Sequence, residues 1–172
     1  MKTFYTIDRC GEFHPGLKLC LQSHLVDPGP FRDHIEMLYP SGLSKHGMCY
    51  ISNSESRFEC GDGAIELYFE EVRRSSYKDR PSRNVSMFCC ESLEDIAKMR
   101  NALSAPSSPV FEVLVYGRWH QANMGLLNST GTALALSQRA HAYWRGEEGL
   151  TGKNPLWEVI AELPVEIGRK IE

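Results

Sequence analysis

Residues 3–7, Thr-Phe-Tyr-Thr-Ile, are β-branched or aromatic throughout and suit a pleated, half-buried surface, so they predict a first strand. Gly11 and Pro15-Gly16 punctuate the next stretch, and Leu17 to Leu21 predicts a second, short strand. Beyond the turn Asp27-Pro28-Gly29-Pro30, Phe31, Ile35 and Leu38 recur at helical spacing until Pro40 stops the helix. Ser41 to Gly47 is a glycine-bounded loop, too polar for a core and suited to wall a site. Asp62 is placed to cap a helix in which Ile65, Tyr68, Phe69 and Val72 share one face. Val85 to Cys90 alternates as a strand, with Met87 and Cys89 on Val85's side and Ser86 and Phe88 opposite. Ser92-Leu93-Glu94-Asp95 is a capping-box variant before a helix through Ile96, Met99 and Leu103. Val110 to Tyr116 is the clearest strand. Thr132 to Trp144 has the Ala/Leu content of a helix, and Gly146, Gly149 and Gly152 mark a mobile loop. Trp157 to Ala161 and Val165 to Gly168 predict two closing strands around Leu163-Pro164.

Strands interspersed irregularly with helices, without repeated βα units, predict a single α+β domain with a split mixed β-sheet and flanking helices. The 172 residues, 42% hydrophobic and 24% charged, fit one ordinary globular core. Without an apolar run near the roughly 18–20 residues of a membrane span, or a signal peptide, the expected setting is the cytoplasm, with no membrane partner. The six cysteines are scattered apart from Cys89-Cys90 and lack zinc-ligand spacing, which predicts free, mostly buried thiols and no metal. Six histidines form no ligand motif; His120, beside Trp119 at a strand end, is the one to watch. A net charge of −3 argues against a dedicated non-specific DNA binder. Charge is nevertheless uneven. Arg73, Arg74, Lys78, Arg80 and Arg83 stand against Asp79 alone, five minus one, giving a local +4. That cluster reads either as a solvated helix end or as a surface for phosphate.

Three stretches, taken in order, resemble the ADP-ribosyltransferase superfamily, and most an uncharacterised bacterial branch of it. The opening strand Phe4-Tyr5-Thr6-Ile7-Asp8-Arg9 is similar to the strand on which the family places an Arg or His against NAD. Pro81-Ser82-Arg83-Asn84-Val85-Ser86-Met87-Phe88 is similar to the serine strand lining the nicotinamide pocket. Trp157-Glu158-Val159-Ile160-Ala161, then Pro164-Val165-Glu166-Ile167, resembles the glutamate strand and its hairpin return. Gly146 to Lys153 sits where the family has its target-recognition loop. The sequence departs from the pattern at Thr6, which aligns to the Arg or His, with Arg9 three residues on. It departs again at Leu156, where arginine-modifying members carry Gln or Glu.

The resemblance implies an ADP-ribosyltransferase-like fold and NAD as a substrate. Breaking the bond from nicotinamide to ribose passes through an oxocarbenium-like state, which needs a carboxylate near the developing cation. By itself Glu158 would read as a solvent-facing residue; the resemblance makes it the catalytic carboxylate, with Ser86 orienting it or the ribose. Arg9 and Arg83 would hold the pyrophosphate, and Tyr5, Thr6 and Phe88 would line the nicotinamide side, although Phe88 also reads as core. Glu147 and Glu148, in the loop, are rival carboxylates. Leu156 and the basic cluster turn the expected acceptor toward nucleic acid, RNA before DNA, with Arg73, Arg74 and Lys78 on its phosphates and Trp144 stacking a base. The implied role is a toxin or phage-defence effector under an antitoxin or other regulatory partner. Thr6 also admits a non-catalytic nucleotide- or protein-binding module on the same fold. A third reading, an RNA phosphotransferase on a related fold, would want more basic pocket residues than Arg9 and Arg83.

Overall fold

A computed structural model describes residues 1–23, 28–52, 60–149 and 154–171. Asp27, Gly152 and Lys153, parts of the predicted turn and loop, lie outside the described residues. Among those described, the strands are β1 (Lys2–Ile7), β2 (Lys18–Leu19), β3 (Ser86–Cys89), β4 (Val110–Val115), β5 (Trp119–Asn123), β6 (Trp157–Glu162) and β7 (Val165–Lys170). The helices are α1 (Pro30–Leu38), the single turn α2 (Lys45–Gly47), α3 (Cys60–Ser76), α4 (Leu93–Ala102) and α5 (Ala133–Arg145).

The sheet is split, as expected, into β1-β4-β7-β2 and β3-β6-β5. Every strand pairing among the described residues is antiparallel, so the expectation of a mixed sheet is corrected. The halves meet where Tyr5 bridges Cys90, each amide donating to the other's carbonyl at 2.9 and 2.7 Å. Between the two sheets lie Phe4, Cys89, Val113, Val159 and Ala161. The other face of β3-β6-β5 is covered by α3 and α5 through Phe69, Tyr143, Trp144 and Ile160. This alternation explains the site's position. Val159 and Ala161 of β6 fill the inter-sheet core, and Glu158 and Ile160 between them face the helices.

Local chemistry sets the helix ends. The Ser92 and Thr132 hydroxyls accept from the amides of Asp95 and Ala135, capping α4 and α5. Gly146, at φ 74°, ends α5 in the left-handed conformation that a Cβ disfavours. Helix α3 starts at Cys60, so Asp62 lies in its first turn rather than ahead of it. Strand β5 went unpredicted because its alternation is broken by His120, Gln121 and Asn123. The polar loop from Ser41 is also corrected. Leu43, Ser44 and Gly47 are buried, and the Ser44 amide and hydroxyl both donate to the Asn84 carbonyl, at 2.9 and 3.1 Å. Gly47 permits this approach, since a Cβ there would sit 2.3 Å from the Asn84 oxygen. Phe31, predicted for the buried face of α1, is 82% exposed. The five described thiols are free, but only Cys89 and Cys90 are buried, where burial pushes both well above the ordinary thiol value. Among the described residues no helix is long and apolar enough to cross a membrane.

Candidate active site

Glu158, near the start of β6, points at α3 and α5 and is buried. Arg83 comes from the 3-10 turn that leads into β3 and is buried as well. Its Nη1 donates to Glu158 Oε1 at 2.7 Å and also to the Tyr143 hydroxyl, which in turn donates to the same Oε1 at 2.8 Å. On its other edge, Nε and Nη2 reach the two oxygens of Glu66 at 2.9 and 3.0 Å. His46 Nε2 lies 3.3 Å from Glu66 Oε1, and its ring packs on Tyr50 and Phe88 at centroid distances of 4.5 and 4.6 Å. Phe88 also faces the Arg83 guanidinium at 4.5 Å.

One cation is thus clasped by two carboxylates beneath an aromatic wall. Burial opposes the charge of Glu66, but Arg83 and the contact with His46 outweigh it and hold the carboxyl well below the usual carboxylate range. Burial likewise opposes the charge of Arg83, and Glu158 and Glu66 reverse the effect, keeping the guanidinium charged. Burial and the neighbouring Glu158 push the Tyr143 phenol well above its ordinary value, so it stays a donor. Both contacts to Glu158 land on Oε1. Among the described residues Oε2 takes no hydrogen bond.

The other predicted site residues divide. Thr6 is buried and its hydroxyl donates to the Phe88 carbonyl at 3.0 Å, while Tyr5 forms the bridge between the halves. Ser86 is buried and donates to the Ser82 carbonyl at 2.7 Å; it faces Glu162 across the ladder rather than Glu158. Arg9 lies exposed beyond the end of β1. Arg83 is buried and directs four of its N–H donors inward to Glu66, Glu158 and Tyr143 rather than outward to a pyrophosphate. Trp144 cannot stack a base. It is fully buried, and its indole N–H donates to the Phe69 carbonyl at 2.7 Å. Glu147 is exposed and paired with Arg145 at 2.6 Å, and Glu148 offers its backbone carbonyl to Asn123, so neither joins the buried cluster. His120 is core, stacked on Trp144 and bonded to the Tyr143 carbonyl at 3.2 Å.

Glu66, His46 and Tyr143 went unforeseen. Glu66 and Glu70 sit one helical turn apart among the apolar positions of α3, and that intrusion on a buried face is the signal that marks them. The basic cluster is no continuous strip either. Arg73 and Arg74 turn back onto buried Glu70 at 2.8 and 2.9 Å, and Arg83 points inward. A cavity of about 540 Å³ does not open on Glu158 but lies beside the cluster, with Glu70, Arg73, Arg74, Lys78, Arg118 and Glu162 in its lining.

Residues 45–172 match a family described as "Protein of unknown function (DUF2441)". No curated protein matches the chain.

Proposed function

The chain belongs to the DUF2441 family, and from the site it carries we infer an ADP-ribosyltransferase that moves the ADP-ribosyl group of NAD to a macromolecular acceptor. One observation carries the reading. The three strands that bear the resemblance, β1, β3 and β6, are far apart in sequence yet neighbours in space, through the Tyr5–Cys90 bridge and the β3–β6 ladder. Glu158 lies on the last of them with one oxygen held and one free. In the reaction, the bond between ribose C1′ and the nicotinamide nitrogen breaks, and its electron pair leaves with nicotinamide. Oε2 of Glu158 holds a ribose hydroxyl beside the developing cation. The acceptor's nucleophile then gives a pair to C1′ and loses its proton. Arg83 and Tyr143 supply orientation rather than substrate contact. His46, Tyr50 and Phe88 offer flat surfaces suited to nicotinamide. Nucleic acid is favoured over protein as acceptor, because the adjoining cavity carries more cations than carboxylates. The role proposed is a cytoplasmic toxin or phage-defence effector with an antitoxin-like partner.

A second reading, a non-catalytic nucleotide- or protein-binding module, is favoured by Thr6, whose hydroxyl is spent on Phe88. Incubation with NAD labelled in its ADP-ribose half, with separate pools of RNA, DNA and protein, separates the two. Label on a pool, lost in Glu158→Gln, is the expected outcome. Label on no pool, with no nicotinamide formed, supports the binding module.

A further inference from the structure

We propose that the groove beside the Glu158 cluster binds one phosphodiester link of a single-stranded nucleic acid. Its phosphate would lie on Arg74, Lys78 and Arg118, and its base along an apolar wall. The four cations lining the groove, Arg73, Arg74, Lys78 and Arg118, exceed its two carboxylates, Glu70 and Glu162, by two charges. Arg73, Arg74 and Lys78 lie together at or just beyond the end of α3, Arg118 is separated from them in sequence by a strand, a helix and a further strand, and the fold brings all four to one cavity of about 540 Å³. That volume is in the range that holds a small ligand, here about one nucleotide.

The groove is also built. Glu70 accepts Arg73 Nε and Nη2, Arg74 Nε and the Ser82 hydroxyl, at 2.8 to 3.0 Å. Arg73 Nη1 and Arg74 Nη2 donate to the Arg80 and Leu38 carbonyls, each at 3.0 Å, and Arg74 lies 4.9 Å from the centroid of Tyr39. The two guanidiniums are therefore fixed before any ligand arrives, so little side-chain freedom is left to lose on binding. Lys78 is exposed, and Arg118 donates through Nε and Nη2 to the two Glu162 oxygens at 2.9 and 2.5 Å, which leaves its Nη1 group for a ligand on a side chain 55% exposed. Leu38, Val85 and Leu163 give the apolar wall. An unpaired base can lie on such a wall, whereas a duplex keeps its bases stacked inside and offers phosphate alone.

The strand is the acceptor only if the transferase reading holds, so binding is measured without NAD. The probe is a fluorescent single-stranded RNA of about ten adenosines, followed by anisotropy at about 50 and about 200 mM salt. Binding should weaken as salt rises, a duplex of equal length should bind less tightly, and AMP should compete only at far higher concentration than the strand. The double variant Lys78→Ala/Arg118→Ala should weaken binding roughly tenfold or more. These two positions are chosen because removing Arg73 or Arg74 would leave buried Glu70 short of partners and threaten folding. Circular dichroism confirms that the variant is folded. Absence of binding, parent-like binding by the variant, equal affinity for the duplex, or equal competition by a polyglutamate peptide overturns the proposal. A protein that binds the strand but releases no nicotinamide from NAD keeps the groove and loses the transferase; the reverse result loses the groove alone.

Discussion

At the scale of single residues, the buried cluster is a balance of charges, and acid should upset it. Glu66 and Glu70 are both held below the ordinary carboxylate range despite burial, by Arg83 and His46 in one case and by Arg73, Arg74 and Ser82 in the other. Each binds protons less readily folded than unfolded. Their stabilisation is therefore complete above the unfolded glutamate value of about 4.3 and is lost as pH falls below it. Thermal melts between about pH 3 and about pH 7 should show a steep acid loss. Glu66→Gln should melt lower than the parent at neutral pH but with a shallower acid slope; an unchanged slope would mean that Glu66 is not among the titrating groups. From sequence, Glu158 was singled out only by the resemblance its strand carries. Its partners were not, because Glu66, Arg83 and Tyr143 converge from a helix, a turn and another helix whose relative placement no local pattern encodes.

At the scale of elements, propensity located most helices and strands, and the capping box at Ser92 marked the start of α4. What stayed hidden is what each face meets. Helix α5 was legible as a helix from its Ala and Leu content, yet Leu134 is 80% exposed while Tyr143 and Trp144 are fully buried. An aromatic pair next to a glycine-rich loop reads equally as core or as a binding surface, and here it is core. Trp144 stacks beside His120 and touches Tyr143 edge-on at a centroid distance of 4.9 Å, so it sets the position of the phenol that holds Glu158. Trp144→Ala should cost about 3–5 kcal/mol of stability, read by urea unfolding. A loss under about 1 kcal/mol would mean the site's floor does not depend on this packing.

For the whole molecule, the split sheet was legible in the irregular alternation of strands and helices, while the uniformly antiparallel pairing was not, since sequence order does not state strand direction. Charge was legible only in part. The run from Arg73 to Arg83 marks a basic region, but folding sends Arg83 inward, ties Arg73 and Arg74 to Glu70, and brings in Arg118 from beyond β4. In the proposed reaction Glu158, oriented by Arg83 and Tyr143, stabilises the cation formed when NAD loses nicotinamide. Nicotinamide release from NAD tests it most directly, comparing the parent with Glu158→Gln and with the loop variants Glu147→Gln and Glu148→Gln. The parent should release nicotinamide, Glu158→Gln should lose on the order of 10²–10³ in rate, and either loop variant should change much less. No release by the parent, or parent-like release by Glu158→Gln, would contradict the proposed reaction.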